Sequence, residues 1–306
     1  MTGWMGDDRS VNLRETLRVT PGGRLDLDAI DPAGTPGLPG RAGKKPKRWA
    51  RRELERIGAD LASHQERIYA NAKAGDSRQR LLLILQAMDC GGKDGTTKKV
   101  AGTMNPQGLH IVSFGKPTPE ELAHDFLWRI RKELPVAGYV GVFNRSQYED
   151  VLVARVHNLV APDVWQARYQ KINEFERELA GDGFVILKVM LHISLDEQRQ
   201  RLEQRLDDPT KHWKYNRGDV DERAFWPQYQ AAYEDALSFC SSEHAPWYVV
   251  PADKKWYRDW AVATLLRETL VGLGLSYPVA DFDAPTERRR LATAVTEPAK
   301  QAATSG

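Results

Sequence analysis

The sequence predicts an α/β fold that is built on a mainly parallel sheet of about five strands. The apolar run at residues 81–85 is typical of a strand that is buried on both faces of a sheet. Further short apolar stretches follow along the chain, and helical stretches separate them, which implies right-handed crossovers between parallel strands. The other strand candidates are residues 109–114, 138–143, 184–193 and 247–250.

Apolar residues that recur every three or four positions define the helical stretches. The first stretch begins near Lys47, and the residues that carry its period are Leu54, Ile57, Leu61 and Ile68. The later helical stretches are residues 93–104, 119–134, 162–180, 195–205, 222–238 and 256–273. Their alternation with the strand candidates supports the α/β class.

The chain divides into three unequal parts. Eleven of the 27 residues from 21 to 47 are Gly or Pro, which predicts that residues 1–45 form an irregular arm rather than a packed element. Residues 46–281 contain all the strand candidates and form the main domain. Few large apolar residues follow, and we expect residues 282–306 to be a flexible tail.

Composition and charge exclude several classes of protein. Of the 306 residues, 44 are Lys or Arg and 42 are Asp or Glu, and a net charge of +2 argues against a globally basic nucleic-acid-binding protein but leaves a local basic patch open. No segment approaches 18 uninterrupted apolar residues, so we expect no membrane span. The first 20 residues lack the apolar region of a secretory signal peptide, so we expect a cytoplasmic location. Cys90 and Cys240 are too few for a disulfide framework or a four-Cys zinc site.

The most informative segment is a glycine-rich turn at residues 86–97, between the first strand and the next helix. Glycines let backbone N–H groups converge on phosphate oxygens, and a helix N-terminus favours an anion. Lys93 stands where a phosphate-loop lysine would stand. The usual pattern is G-x-x-x-x-G-K-[ST], but Ala87 takes its first glycine position and Asp94 its hydroxyl position. The phosphate-binding candidates are Gly91, Gly92, Lys93, Asp94, Gly95 and Thr96.

Asp89 is the residue that distinguishes this loop from a plain strand-to-helix turn with a surface lysine, which is the structural alternative. A carboxylate beside a phosphate-binding loop repels anions unless it holds a cation, and Mg²⁺ prefers oxygen ligands. We therefore expect Asp89 to be a metal ligand. Cys90, in the same loop, is either a small packed residue or a thiol whose oxidation blocks the site.

A second group of polar residues follows the strand candidate at 138–143. Because parallel strands place ligands at their carboxyl ends, these residues should face the same crevice as Lys93. A structural Asn with a surface Arg is the alternative. The candidates are Asn144, Arg145, Tyr148 and Glu149.

A third group lies around the helix break at Asp208-Pro209. Arg201 and Arg205 are one turn apart on one helix face, and Lys211 and Lys214 follow the break. Four cations on one hinged segment are typical of a mobile clamp on phosphates. The alternative is a solvated helix with Glu–Arg pairs.

A basic run lies between the arm and the main domain, and it contains no acidic residue. It is interpreted either as a solvated helix start or as a contact for a polyanion. Its members are Arg41, Lys44, Lys45, Lys47, Arg48, Arg51 and Arg52.

Together these segments resemble the polyphosphate kinase 2 family over about residues 45–280. Seven ordered blocks carry the resemblance: AMDCGGKDGT (87–96), NPQG (105–108), HDFLWR (124–129), VFNRSQYEDVLVARVH (142–157), RLEQRLDDPTKHWK (201–214), APWYVVPADKKWYR (245–258) and YP (277–278). The FNRSQYED form resembles the subgroup that phosphorylates both nucleoside monophosphates and diphosphates. Other subgroups have Asp where this chain has Asn144.

The resemblance implies a three-layer α/β/α P-loop kinase fold, similar to thymidylate kinase, with a helical lid at about residues 201–226. It also implies transfer of the terminal phosphoryl group of inorganic polyphosphate to AMP or ADP, with GMP and GDP as further candidates. Mg²⁺, or Mn²⁺ in its place, would be the cofactor, and a homodimer or homotetramer is expected.

The same resemblance implies a role for each candidate residue, since phosphoryl transfer depends on positioning and charge neutralisation. Asp89 would hold the metal, Lys93 would contact the transferred group, and Arg145 would bridge donor and acceptor. Arg201 and Arg205 would close over the phosphates from the lid, with Lys211 and Lys214. Asn144 and Glu149 would orient nucleotide phosphates or metal-bound water.

Two rival functions remain open on the sequence. An ATP-dependent nucleoside monophosphate kinase would usually keep Ser or Thr after the loop lysine, where this chain has Asp94. A nucleotide- or polyphosphate-binding regulatory module would gain little from a carboxylate such as Asp89 between phosphates.

Overall fold

A computed structural model of the chain describes residues 12–75 and 77–294, and these ranges contain a five-stranded sheet. All of its strand pairs are parallel, as the buried apolar runs predict. The strands are β1 (Arg80–Ala87), β2 (Leu109–Ser113), β3 (Val140–Asn144), β4 (Phe184–His192) and β5 (Trp247–Pro251).

The strand order is β2-β3-β1-β4-β5, which places β1 at the centre of the sheet. The chain leaves β1 towards one side of the sheet and later returns to its other side, so the order reverses beside β1. In open α/β sheets ligands bind at such a point, outside the carboxyl ends of the strands. Leu85 pairs with Asn144, so the loops that follow β1 and β3 are neighbours.

Helices form a layer on each face of the sheet. One layer contains α2, α3 and α11, in which α11 packs on both α2 and α3, and the other contains α6, α7 and α10. The helices are α1 (Leu13–Leu17), α2 (Pro46–Lys73), α3 (Lys93–Val100), α4 (Pro119–Leu122), α5 (Trp128–Lys132), α6 (Glu149–Val156), α7 (Pro162–Gly181), α8 (Leu195–Asp207), α9 (Gly218–Glu222), α10 (Trp226–Phe239), α11 (Lys255–Gly272) and α12 (Ala284–Ala294). None of the helices in the described ranges combines the length and hydropathy needed to cross a membrane.

The single helix predicted at residues 119–134 is wrong, because the structure divides it into α4 and α5. The carboxylate of Asp125 accepts a hydrogen bond from the backbone N–H of Leu127 at 3.0 Å. Such side-chain-to-backbone bonds compete with the helical pattern. The helix predicted at 222–238 likewise begins only at Trp226, where Pro227 occupies the first turn, as helix starts favour.

The N-terminal arm is irregular between residues 21 and 39, but it is packed against the main domain, contrary to the prediction. Leu13 and Leu27 are fully buried, and the backbone N–H groups of Leu13 and Arg14 donate to the carboxylate of Glu268 on α11. Residues 1–11 of the predicted arm lie outside the described residues. At the other end, residues 284–294 of the predicted flexible tail form α12, and residues 295–306 are not described.

Candidate active site

The loop between β1 and α3 turns sharply at two glycines. Gly92 has a left-handed φ of 105°, and a Cβ added there would lie 1.8 Å from Nη1 of Arg258. A Cβ on Gly91 would lie 2.4 Å from the Cβ of Ala87. Both positions therefore require glycine. The loop follows a buried strand and opens a helix, which is the context that a phosphate-binding loop needs.

Lys93 is the first residue of α3, and only 9% of it is exposed. Its Nζ donates to the carbonyl of Ala87 at 3.0 Å, so the ammonium lies inside the loop. Burial lowers the pKa of Lys93, and the nearby Arg145 lowers it further. A buried ammonium with one carbonyl ligand retains donor capacity for a phosphate oxygen.

The loop after β3 brings two more predicted residues to this edge. Asn144 donates from Nδ2 to Oδ1 of Asp94 at 2.7 Å, which joins the two loops. Arg145 has a left-handed φ of 66°, and its backbone N–H donates to the carbonyl of Leu85. Its Nη2 lies 3.1 Å from Oδ1 of Asp89. The sheet therefore brings together side chains that are 50 and 56 residues apart in the chain.

Arg201 on α8 supports the loop from the side. Only 6% of the residue is exposed, and its Nη1 donates to the carbonyls of Cys90 at 2.8 Å and Gly91 at 3.1 Å. Its Nη2 donates to the carbonyl of Ala252 at 2.5 Å, and its Nε to Glu197 at 2.7 Å. This arrangement differs from the prediction, in which Arg201 belongs to a mobile clamp, because its donors already serve the protein.

The other three cations of this segment are more accessible. Nη1 of Arg205 donates to Asp219 at 3.2 Å and to the carbonyl of Lys214 at 2.9 Å. The exposed Lys211 forms an ion pair with Asp208 at 2.6 Å. Arg205 lies near the end of α8, and Lys211 and Lys214 lie beyond the helix break that the sequence predicts at Asp208-Pro209.

These elements enclose a cleft of about 560 Å³, a volume typical of small-ligand sites. Eight of its lining residues in the described ranges are Lys or Arg and three are Asp, so the cleft suits a highly anionic ligand. The predicted residues that line it are Asp89, Gly91, Gly92, Lys93, Asp94, Gly95, Asn144, Arg145, Arg201, Arg205, Lys211 and Lys214.

Three predicted residues do not line the cleft. The placement of Tyr148 there is wrong, because Tyr148 is 0% exposed and its hydroxyl donates to Glu176 at 2.8 Å beneath the loop. Thr96 is fully buried within α3, so its side chain is also not in the cleft. Glu149 lies outside the cleft lining, and its carboxylate is 3.8 Å from the guanidinium of Arg145. Tyr148 and Thr96 turn into the core and Glu149 turns towards Arg145, which a linear motif does not reveal.

Arg258, to which the sequence motifs give no role, also lines the cleft. Its Nε and Nη2 donate to Oδ1 of Asp259 at 2.9 and 2.6 Å, and its Nη1 faces Gly92. Only 3% of Arg258 is exposed. An Arg in the apolar part of a helix is unusual, and this was the available signal. Asp259 also lies 3.0 Å from Lys99 of α3, so α11 and α3 are joined here.

A comparison with known families decides the identity of this site. Residues 44–272 match the family described as polyphosphate kinase 2 (PPK2). The chain belongs to the polyphosphate kinase 2 family. It is therefore a phosphotransferase enzyme with the P-loop kinase fold, and the fold predicted from the family resemblance is confirmed.

Similar proteins cover most of this polyphosphate kinase 2 chain. It is 50% identical over 261 residues to an AMP/ADP-polyphosphate phosphotransferase of Meiothermus ruber, which covers 85% of this chain and 94% of that protein. It is 42% identical to an ADP-polyphosphate phosphotransferase of Rhodopseudomonas palustris, with coverage of 79% and 83%. The crystal structure of polyphosphate kinase 2 from Arthrobacter aurescens TC1 is 50% identical, with a TM-score of 0.88 over 92% of this chain and 97% of that one.

Polyphosphate kinase 2 enzymes generally need a divalent metal, and the cleft offers the carboxylates of Asp89 and Asp219, while Asp94 is engaged by Asn144. Burial raises the pKa of Asp219, and the negative charge of Asp89 raises it further, so a bound cation would relieve the repulsion of these carboxylates. The described residues contain no group of three His, Cys, Asp or Glu that could hold a metal ion. One or two carboxylates suffice for Mg²⁺ when substrate phosphates and water complete its coordination.

Proposed function

We propose that this enzyme transfers the terminal phosphoryl group of inorganic polyphosphate to AMP or ADP, with GMP and GDP as further acceptors. A phosphate oxygen of the nucleotide attacks the terminal phosphorus, the bridging P–O bond breaks, and the donor shortens by one unit. The observation that carries the proposal is the cleft between β1, β3 and α8, in which cations surround Asp89. The printed names of the similar proteins support the same donor and acceptors.

The residues of the cleft have distinct roles in this proposal. Lys93 contacts the transferred group from inside the loop, and Arg145 lies between donor and acceptor phosphates. Arg258 presents Nη1 to the same loop from α11. Fixed charges of this kind stabilise the charge that develops in phosphoryl transfer without reorganising at the moment of reaction.

Mg²⁺, or Mn²⁺ in its place, would be held by Asp89 with support from Asp219, and would neutralise phosphate charge when bound. Asn144 keeps Asp94 in a hydrogen bond at 2.7 Å, which leaves Asp89 as the more available carboxylate of this loop. Glu149 acts on Arg145 rather than on substrate, because it lies outside the cleft lining.

Residues 201–226 act as the lid in this proposal, with Arg201 as its fixed base. The accessible cations Arg205, Lys211 and Lys214 lie beyond that base and contact the donor. A homodimer or homotetramer also remains our proposal for the assembly.

An ATP-dependent nucleoside monophosphate kinase is not favoured. Such kinases use a Ser or Thr after the loop lysine to bind Mg²⁺, and Asp94 stands there instead, engaged by Asn144. A donor assay separates the two functions. The enzyme would be offered AMP, ADP, GMP and GDP with polyphosphate or ATP and Mg²⁺, and the products identified by ion-exchange chromatography.

The matched variants are Lys93→Ala and Lys98→Ala, two lysines of the same helix. Lys93 lines the cleft, whereas Lys98 is exposed and does not. Removing one preorganised charge typically costs about 10²–10³ in rate, so Lys93→Ala should lose transfer and Lys98→Ala should keep it. Equal turnover in the two folded variants would reject the assignment of the loop, and transfer from ATP alone would reject the donor.

A further inference from the structure

The start of α2 presents an exposed basic surface that the cleft does not include. We define it by six residues: Lys44, Lys45, Lys47, Arg48, Arg51 and Arg52. All six are exposed, and in the described part of the chain none of them lies within 4.0 Å of a carboxylate. Among the described residues, the surface therefore concentrates six positive charges that form no ion pair, on a chain whose net charge is only +2.

Helix stability does not account for this arrangement. Helix N-termini favour acidic residues, but the first turn of α2 contains none, and Lys45 provides no side-chain cap. Residues four apart on a helix are neighbours, so Lys47 and Arg51, like Arg48 and Arg52, repel each other. These like-charge pairs do not stabilise the helix start, and binding of a polyanion would offset their repulsion.

The basic surface lies beside the rim of the cleft, because α2 runs parallel to α11. Trp49 near the start of α2 contacts Trp260 near the start of α11, with 5.6 Å between ring centroids. Further along, Asp60 forms an ion pair with Arg267 at 2.9 Å. Both helices therefore begin at the same end of the molecule, and α11 begins with Lys255, which lines the cleft.

The arm that leads into α2 follows the same rim. The hydroxyl of Tyr257 donates to the carbonyl of Pro36 at 2.6 Å, and the N–H of Asp253 donates to that of Pro32 at 3.1 Å. Exposed Lys254 and Lys255 lie in this rim segment. Two exposed lysines therefore lie at the start of α11, between the cleft and the end of the molecule that carries the basic surface.

We infer that the basic surface binds the part of a long polyphosphate that extends beyond the cleft. The inference rests on the proposed function, since it concerns the same donor. Polyphosphate repeats its negative charge along a flexible chain, and exposed cations with no carboxylate partner bind such a chain by releasing its counterions. Short polyphosphates end within the cleft and do not reach the surface. The enzyme thus distinguishes donors by length.

The test compares two triple variants that lose the same charge. One is Lys44→Gln with Lys45→Gln and Lys47→Gln, and the control is Arg288→Gln with Arg289→Gln and Arg290→Gln on α12, a helix without buried residues. We would measure kcat and KM with tripolyphosphate and with a long-chain polyphosphate over a salt series. For the first variant we expect KM for the long donor to rise roughly tenfold and its salt slope to fall. Its kcat and its kinetics with tripolyphosphate should match those of the parent and the control.

Two kinetic outcomes would overturn the inference while leaving the proposed function intact. They are an unchanged KM for the long donor, and an equal loss with both donors, which would place the lysines in the catalytic cleft. If neither polyphosphate serves the parent enzyme as a donor, the proposed function itself is rejected. Thermal unfolding at low salt supplies a second readout. The first variant should be at least as stable as the parent, and a lower melting temperature would mean that the lysines support folding instead.

A binding measurement identifies the polyanion. Long-chain polyphosphate would be titrated into Lys93→Ala protein and into the same protein with Lys44, Lys45 and Lys47 also changed to Gln. Single-stranded RNA of equal charge would be the competitor. We expect the glutamines to weaken polyphosphate binding and RNA to compete poorly. Equal displacement by RNA would overturn the assignment of the surface to polyphosphate.

Discussion

Arg145 and Asp89 face each other at the carboxyl ends of neighbouring strands, with 3.1 Å between Nη2 and Oδ1. The left-handed φ of Arg145 and its backbone hydrogen bond to Leu85 hold the guanidinium at this point. One wall of the cleft therefore presents a cation for phosphate oxygens next to a carboxylate for a metal. A substitution of either residue therefore also changes the electrostatic potential at the other.

Asp89→Asn should lower turnover by about 10²–10³ and raise the Mg²⁺ concentration needed for half-maximal activity. The amide keeps the shape of the side chain but cannot neutralise a cation, so excess Mg²⁺ should restore activity only in part. Activity would be measured over a Mg²⁺ titration, with exposed Asp196→Asn on α8 as the control. An identical Mg²⁺ dependence in both variants would show that Asp89 is not the metal ligand.

Arg201→Ala and Arg205→Ala should differ, although the two residues share a helix face. Arg201 is buried and donates to Cys90, Gly91 and Ala252, so its loss leaves buried acceptors unpaired. Removing one member of a buried charged network typically costs about 3–5 kcal/mol, which should lower the melting temperature clearly.

Arg205 is more accessible, so Arg205→Ala should keep its stability and lose efficiency with polyphosphate. Its salt slope should fall by roughly one unit at most, because one phosphate contact is lost. Thermal unfolding and kcat/KM over a salt series separate the two effects. A stable Arg201→Ala protein with a reduced salt slope would mean that Arg201 contacts the donor after all.

Tyr148→Phe should destabilise the enzyme without changing nucleotide affinity. The hydroxyl donates to Glu176 and accepts from Lys188, each at 2.8 Å, so its loss leaves a buried ion pair with one fewer hydrogen bond on each side. We expect a loss of roughly 1–3 kcal/mol in the free energy of unfolding. A normal melting temperature together with a raised KM for the nucleotide would instead support the contact with substrate that the motif predicts.

Cys90 should react slowly with alkylating reagents at neutral pH. Burial raises the pKa of its thiol to about 11, so few molecules carry the reactive thiolate near pH 7. The alkylation rate should keep rising from pH 7 to pH 10, since the thiolate fraction increases towards that pKa. Mass spectrometry of the Cys90 peptide would follow the rate, with urea-unfolded protein as the control. A rate that levels off below pH 9 would contradict the raised pKa.

Much of the fold could be predicted because its signals are local. Neighbouring residues are enough to predict the buried strand β1, the tight turn at Gly91 and Gly92, and the position of Lys93 at the start of a helix. The apolar spacing alone predicts unbroken helices over residues 119–134 and 222–238, and this prediction is wrong. Asp125 and Pro227 are local signals of the breaks, but they do not change the apolar spacing. The packing of the arm could not be predicted in this way, because the carboxylate of Glu268 accepts hydrogen bonds from backbone N–H groups more than 250 residues away in the chain.

The residues themselves determined which chemistry the chain carries: a glycine loop with a lysine and a carboxylate, and cations on a broken helix. Only the tertiary structure decided which side chains reach the cleft. Arg201 bonds to Cys90 across 111 residues, Arg258 meets Gly92 from another helix, and Tyr148 turns into the core. The spacing of residues along the chain determines which of them share a helix face, but the element that this face contacts depends on how the layers pack. Burial and hydrogen-bond partners follow from that packing.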